Sequence, residues 1–351
     1  MFCASLLLAV LLILTKFAFC LPPAAGNKIP ASINTPKTIN PASVMQSNEK
    51  YSWIAQWGGN KTGVQFNYPC DICFDNAGCF YVVDGTNYRI VKVNQYNTNS
   101  NPSFNSWNIP AGNAGQSNPV SLTIGLPDPD SGNRYIYVTT TWQDNQIWRL
   151  DPASGVWSKF GNSEVKTPRG MGTDIWGYIY VVDGNYGKIY KYNDSGKLIN
   201  QWPTMGANYE GPSIAVDKSG IIYFSDHTNC LIKKFSNRGA LLGQWGGRGQ
   251  GNGQFHAVNG PAGIAIDKNG NIYVADPGNQ RIQKFKSDGT YISQCIGSDL
   301  TYPKNLYFPK TVGIDPAGLV FVVDSGNNRI LAFENKPALI DRKPIQPRII
   351  R

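Results

Sequence analysis

Apolar and small residues alternate along this chain in a phrase that recurs six times. In residues 263–285, GIAIDKNGNIYVADPGNQRIQKF, an alternating run is followed by a turn, a second run, another turn and a third run. Such alternation indicates half-buried strands, and Ile, Val, Tyr and Phe favour them. Asn-Gly and Asp-Gly at the turns adopt positive φ at little steric cost. Each copy therefore predicts three strands joined by tight turns.

The repetition itself predicts the architecture. The other copies occupy residues 70–93, 134–150, 171–192, 213–235 and 312–333. A further run that ends on a bulky residue accompanies the copies, at Trp57, Trp107, Phe160, Trp202, Trp245 and Cys295. A fixed period of this length means that one supersecondary unit is used as an array. Four antiparallel strands repeated six times predict an all-β fold, a six-bladed β-propeller.

The two ends of the array predict how the ring closes. The last copy ends near Phe333, and residues 334–351 show no alternation, so this copy lacks a fourth strand. The segment YSWIAQWGG at residues 51–59 matches ALLGQWGG of the fourth copy. We expect it to supply the outer strand of the final blade, which leaves no open sheet edge. Trimming before Tyr51 should then be harmless, and trimming past Trp57 should not.

The repeated phrase resembles the NHL repeat, I-x-x-D-x-x-G-x-I-Y-V-x-D-x-x-N-x-R-I, over residues 51–334. Six copies are similar to the six-bladed NHL propellers. The signature Asp stands at Asp84, Asp183, Asp226, Asp276 and Asp324, and becomes Thr141 in the second copy; the signature Arg stands at Arg89, Arg281 and Arg329. We expect these residues to be structural, since Asp accepts hydrogen bonds from turn amides and Arg pairs with it.

The N-terminal stretch indicates export. Residues 1–20 are apolar and have the length of a secretory signal peptide, although no Lys or Arg precedes the apolar run. A retained membrane anchor is the competing interpretation, because the run is only slightly short of a span. Residues 21–50 are rich in Pro, Ala, Ser and Asn and predict a disordered leader. We expect a secreted chain; the alternative is an anchored ectodomain.

Export changes how the cysteines are interpreted. Cys70, Cys73 and Cys79 fall on the first predicted hairpin, where an oxidising compartment favours one disulfide of undetermined connectivity. The C-x-x-C spacing lacks a second pair for a zinc site. Asn60 and Asn193 begin N-glycosylation sequons in predicted loops.

The charge of the chain does not point to a particular class of partner. The formal net charge is +9, but charged residues make up only 16% of the chain. Part of the basic excess lies in residues 335–351, which we interpret as a solvated, proline-interrupted tail. Basic residues of the loops, such as Arg169, are too scattered for nucleic-acid binding. We expect a monomer with no nucleic-acid partner, and no membrane span once the leader is cleaved.

The candidate functional residues lie in the loops that enter each first strand and in the turns between second and third strands. In a propeller these share one face, on which most propellers bind ligands. The chain has two histidines, His227 and His256, and both fall on this face, on adjacent blades. With Asp226 they form a candidate metal or acid–base site. Exposed loop histidines without such a role are the commoner case.

The amidating-lyase propellers, which the chain distantly resembles, imply a zinc site of three histidines. The matching positions, each after the proline that begins an inner strand, hold no histidine: Cys70, Val120, Arg169, Ser213, Ala262 and Lys310. Tyr88 and Tyr186 loosely resemble the lyase tyrosine. A calcium-dependent propeller needs an axial acidic cluster, and the inner strands offer few acids beyond Asp71 and Asp174.

These observations favour a non-catalytic propeller that binds a protein or a glycan on its loop-rich face and needs no cofactor. Gly, Asn and aromatic residues in the entering loops suit such recognition. The candidate ligand-binding residues are Tyr88, Arg169, Tyr186, His227 and His256. The alternative is an enzyme of the lyase or hydrolase type with zinc or calcium near the axis.

Overall fold

Six four-stranded antiparallel sheets make up the fold. The computed structural model describes residues 50–59, 63–94, 103–111, 117–128, 132–142, 144–204, 213–296 and 305–336. Within these ranges the regular helices are single 3₁₀ turns, and none is long or apolar enough to span a bilayer. The predicted all-β fold, a six-bladed β-propeller, is confirmed.

The strands follow the repeated phrase. Blade 1 holds β2 (Pro69–Phe74), β3 (Phe80–Asp84), β4 (Arg89–Asn94) and β5 (Ser103–Asn108). Blade 2 holds β6 (Asn118–Pro127), β7 (Arg134–Thr141), β8 (Ile147–Leu150) and β9 (Trp157–Lys159). Blade 3 holds β10 (Pro168–Thr173), β11 (Ile179–Asp183), β12 (Lys188–Tyr192) and β13 (Leu198–Pro203).

The second half of the ring repeats the order. Blade 4 holds β14 (Ile214–Val216), β15 (Ile222–Asp226), β16 (Leu231–Phe235) and β17 (Leu241–Gly246). Blade 5 holds β18 (Ile264–Ile266), β19 (Ile272–Asp276), β20 (Arg281–Phe285) and β21 (Tyr291–Ile296). Blade 6 holds β22 (Pro309–Ile314), β23 (Val320–Asp324), β24 (Arg329–Lys336) and, as its outer strand, β1 (Lys50–Gly58).

Strand β1 joins the two ends of the propeller. It pairs antiparallel with β24, from Lys50 opposite Lys336 to Gly58 opposite Arg329. The Trp57 side chain is only 4% exposed and its ring lies 5.7 Å from that of Phe321, stacked. The last strand runs to Lys336 rather than ending near Phe333, because pairing with β1 extends it beyond the alternating sequence.

The core lies between blades. In blades 1, 3, 4, 5 and 6 the second strand is buried along its whole length, as in β3 and β11, because each blade face packs on a neighbouring blade. One apolar cluster joins Phe80 and Val82 of blade 1 to Phe321 and Ile330 of blade 6. The sheets therefore stack around an axis, and their first strands line it.

Several predictions fall outside the described residues. The signal segment at residues 1–20, almost all of the leader at residues 21–50 and the tail beyond Lys336 belong to this group, as does the sequon at Asn60. The sequon at Asn193 lies on the turn between β12 and β13, as predicted.

Candidate functional site

The turn after each second strand positions the ligand-facing loops. In blade 1 the Asp84 carboxylate accepts hydrogen bonds from the main-chain N–H of Asn67, at 2.7 Å, and from Arg89 Nε, at 2.7 Å. The entering loop is thereby tied to the second-to-third-strand turn. Arg281–Asp276 at 2.9 Å and Arg329–Asp324 at 2.6 Å repeat the ion pair. These contacts give the signature Asp and Arg the structural role predicted for them.

In blade 4 the turn aspartate, Asp226, pairs with a lysine from a different position. Leu231 stands where blades 1, 5 and 6 have Arg, and Lys233 Nζ reaches the Asp226 carboxylate instead, at 2.6 Å. Asn229 Nδ2 also donates to that carboxylate, at 2.8 Å. Both the Lys233 and the Asp226 side chains are buried. Asp226, a predicted metal ligand, is thus part of a turn-stabilising ion pair.

The two histidines lie in different surroundings. His256 Nδ1 accepts hydrogen bonds from the main-chain N–H groups of Val258 and Asn259, at 3.2 and 3.1 Å, and its ring packs directly on Gly278. His227 lines the axial cavity, and within the described residues its buried Nδ1 has no hydrogen-bond partner. The described part of the chain holds no group of three or more His, Cys, Asp or Glu side chains arranged for a metal ion. The predicted trio is not assembled.

The two candidate tyrosines lie away from the axial cavity lining. Tyr88 adopts a left-handed conformation after a 3₁₀ turn, with φ of 53°, and its main-chain N–H donates to Gly85 O. Gln280 and Asn328 occupy the same position in blades 5 and 6, so Tyr88 is a turn residue. Tyr186 is 62% exposed on the blade 3 turn.

A cavity of about 430 Å³ opens at the axis on the face of the entering loops. Most of its lining comes from two repeated places, the start of the first strand and the residue after the second strand; Asn259 comes from the loop that enters blade 5. The lining residues are Tyr68, Val120, Trp142, Arg169, His227, Asn259, Ala262, Pro277, Phe308 and Lys310. Of the predicted site residues, the structure therefore brings Arg169 and His227 together. Cavities of this size accommodate small ligands.

Three aromatic residues at this cavity have strained backbones. Tyr68, Trp142 and Phe308 have φ values of 51°, 78° and 54°. Left-handed backbone is unfavourable for bulky side chains, and such strain collects at ligand-binding sites. Tyr68 and Phe308 each precede a proline, which favours extended backbone and makes the conformation less favourable still. Trp142 is 79% exposed, so burial of its own ring does not account for it.

Lys310 and Arg169 give the cavity its charge. Lys310 Nζ lies 3.5 Å from Cys70 Sγ and 5.1 Å from the centre of the Tyr68 ring. Burial lowers the pKa of Lys310, but electrostatic attraction to the Cys70 and Tyr68 side chains outweighs this effect. The pKa of Lys310 therefore lies above its ordinary value, and the ammonium is charged at neutral pH. Among the described residues that line the cavity, none is acidic.

Below the cavity the axis narrows to a neck of about 30 Å³, which shares Val120 and Lys310 with the lining of the cavity. Asp71 lies here, and its carboxylate accepts hydrogen bonds from Ser121 Oγ and the Leu122 N–H at 2.5 and 3.1 Å. Burial raises the pKa of Asp71 to about 6, against the opposing effect of these hydrogen bonds. The neck leads to a second opening of about 490 Å³ on the opposite face.

The structure does not show the predicted disulfide. Cys70, Cys73, Cys79, Cys230 and Cys295 are all free thiols in this structure. Cys70 contacts Lys310 at the start of β2, whereas Cys79 Sγ lies 3.7 Å from Asn94 Oδ1 at the far end of the hairpin. The hairpin separates these two sulfurs along its length, so a bond between Cys70 and Cys79 is excluded.

Sequence reasoning missed Lys310, Tyr68, Trp142 and Phe308. Lys310 carried a usable signal, since it occupies the same repeat position as Arg169, after the proline of an inner strand. Tyr68 and Phe308 stand just before the same proline in blades 1 and 6, whereas the exposure of Trp142 has no sequence signal of its own.

Comparisons with known proteins agree with the fold. The NHL repeat family model matches residues 258–285, and no curated protein matches the chain significantly. Virginiamycin B lyase from Staphylococcus aureus is 17% identical, with 83% of this chain and 89% of that chain covered and a TM-score of 0.55. An auxiliary nutrient binding protein from Bacteroides ovatus is 14% identical, with 83% and 78% covered and a TM-score of 0.60.

A second auxiliary nutrient binding protein, from Bacteroides thetaiotaomicron, is 15% identical, with 77% and 69% covered and a TM-score of 0.61. At such identities these similarities concern the fold alone. Together with the family match and the six blades, they confirm the resemblance seen in the sequence. The chain carries an NHL repeat at residues 258–285 and has the fold of a six-bladed β-propeller.

Proposed function

We propose that this chain is a secreted, non-catalytic binding module that takes a protein or glycan ligand at the axial cavity of its loop-rich face. The observation that carries the proposal is the set of three strained aromatic residues around one cavity, Tyr68, Trp142 and Phe308. Flat aromatic surfaces, which have few rotatable bonds, supply contact area at low entropic cost. Such surfaces serve ligand recognition and require no covalent chemistry.

Other observations support parts of this proposal. Two structures with the same fold are described as auxiliary nutrient binding proteins, so this architecture serves binding elsewhere. Secretion is inferred from the apolar residues 1–20. N-terminal sequencing of the mature protein tests it: a start beyond residue 20 supports secretion, and retention of the stretch supports an anchored ectodomain.

The aromatic residues offer a direct test with a matched control. Trp142 is 79% exposed at the cavity, and Trp176 is 53% exposed on the turn between β10 and β11, on the opposite face. We expect wild-type protein to be retained on some members of a panel of immobilised glycans and purified extracellular proteins. Trp142→Ala should weaken that retention at least tenfold, and Trp176→Ala should leave it unchanged. Equal retention of both variants would place binding elsewhere.

A propeller enzyme with a divalent metal near the axis is the second candidate function. One observation favours it: the pKa of Asp71, about 6, suits proton transfer near neutral pH. Metal analysis of the purified protein separates the two functions. Stoichiometric zinc or calcium that is lost in the variant with both His227→Ala and His256→Ala would contradict the non-catalytic proposal.

A further inference from the structure

We propose that the axial cavity binds an acidic saccharide, with a carboxylate or sulfate group between Arg169 and Lys310 and a sugar ring against the aromatic residues. This inference rests on the proposed binding function and adds the charge and the class of the ligand. The evidence comes from four features of the cavity, namely its charges, its hydrogen-bond donors, its depth and its aromatic walls.

The charges of the cavity are of one sign. Arg169 and Lys310 both line it, and the positive charge of Arg169 acts to lower the pKa of Lys310. Two like charges that face one cavity repel each other, and this repulsion is relieved when an anion lies between them. A carboxylate or sulfate group matches the planar donor array of a guanidinium, which binds such groups through two hydrogen bonds.

Lys310 is held so that it can donate to a ligand. Its ammonium group has three N–H donors, and Cys70 Sγ accepts one of them. The Tyr68 ring fixes the direction of the same ammonium by a cation–π contact. The side chain is therefore positioned before a ligand arrives, which reduces the entropy lost on binding.

The neck fixes how deep the anionic group lies. At about 30 Å³ it excludes a sugar ring, and the Asp71 carboxylate beneath it repels an anion when ionised. An acidic group that enters from the loop face must therefore stop at the level of Lys310. The opposite opening is lined by Asp71, Asp315 and Lys268, so its charges are mixed and select no anion.

The aromatic walls favour a ring-shaped ligand over an acidic peptide. Tyr68 and Phe308 come from adjacent blades, with ring centres 6.5 Å apart, and Trp142 belongs to blade 2. All three residues line the same cavity, so the cavity presents flat aromatic surfaces to a ligand. A cavity of about 430 Å³ is suited to one or two sugar rings.

The test measures affinity by calorimetry for three oligosaccharides of equal length: an oligogalacturonate, a sulfated galactan fragment and the neutral galactan fragment. We expect at least one acidic probe to bind the full mature chain at least tenfold more tightly than the neutral probe. The variant with Arg169→Gln and Lys310→Gln should lose at least tenfold in affinity for that acidic probe. Lys310→Arg, which keeps the charge, should retain most of it.

The matched control carries Arg238→Gln and Lys268→Gln, two exposed residues on turns away from the loop face. It removes the same two charges from the chain and should bind as the wild type does. Equal loss in both double variants would show general charge attraction and overturn the inference. Thermal unfolding checks folding, and the single variants Arg169→Gln and Lys310→Gln replace the double variant where it does not fold.

Failure of this inference can be distinguished from failure of the proposed function. Neutral and acidic probes that bind equally, with both affinities lost in Trp142→Ala, would overturn the acidic class and leave the binding site intact. An acidic peptide, oligoglutamate, that binds more tightly than every saccharide would overturn the saccharide class. Binding of acidic probes that is unchanged by Trp142→Ala and by the Arg169 and Lys310 variants would overturn both proposals.

Discussion

At the scale of single residues, repetition predicts structural roles better than binding roles. Asp84 and Arg89 could be recognised because other copies hold the same pair at the same spacing. The left-handed backbone of Tyr68 could not be predicted, because it depends on a neighbouring blade: its N–H donates to Asn328 Oδ1 at 2.7 Å. Residues that depart from the repeat, such as Lys310, are therefore the ones to test for function.

Asp71 gives a prediction on pH dependence. Its folded-state pKa of about 6 lies above the ordinary aspartate value of 3.8, so the folded chain holds a proton that the unfolded chain releases between these pH values. The free energy of unfolding should therefore fall as pH rises from about 4 to 6. Asp71→Asn should abolish this contribution and raise stability at pH 7 relative to wild type by about 1–3 kcal/mol.

Chemical denaturation at a series of pH values measures this difference. Asp151→Asn is the control, because the hydrogen bond from the Ser154 hydroxyl lowers the pKa of this exposed carboxyl. It should not reproduce the gain in stability between pH 4 and pH 6. If Asp71→Asn and wild type ran parallel over this range, Asp71 would not carry the raised pKa.

At the scale of elements, the alternation of side chains predicted nearly every strand, because each strand buries a face against a neighbouring blade. The end of β24 was missed, since pairing with β1 and not the ENK sequence keeps residues 334–336 extended. The predicted disulfide is not formed in this structure. Position on a hairpin gives sequence proximity, whereas a disulfide needs side chains that meet.

Strand β1 provides a prediction with an internal control. Trp57 is 4% exposed between Phe80 and Phe321, with ring centres 5.0 and 5.7 Å away, while Trp53 on the same strand is 38% exposed. Trp57→Ala should lower the free energy of unfolding by about 3–5 kcal/mol, because it leaves a cavity between blades 1 and 6. Trp53→Ala should cost about 1 kcal/mol or less. Equal effects in equilibrium denaturation would contradict closure of the ring by β1.

At the scale of the whole molecule, the ring brings distant residues to one axis. Tyr68, Trp142, Arg169 and Lys310 come from four blades and are separated along the chain, yet they line one cavity. The sequence predicted the face and the loops but not which side chains converge, because convergence depends on the geometry of all six blades. The fold supplies a rigid frame, and the variable positions of each blade supply the chemistry.

The most direct measurement is a crystal structure of the mature chain with the acidic oligosaccharide that binds most tightly. The account predicts a sugar ring between the aromatic residues Tyr68, Trp142 and Phe308. Its carboxylate or sulfate group should lie within hydrogen-bonding distance of the Arg169 guanidinium and of Lys310 Nζ. A ligand at the opposite opening near Lys268, or on the outer edge of a blade, would contradict the account.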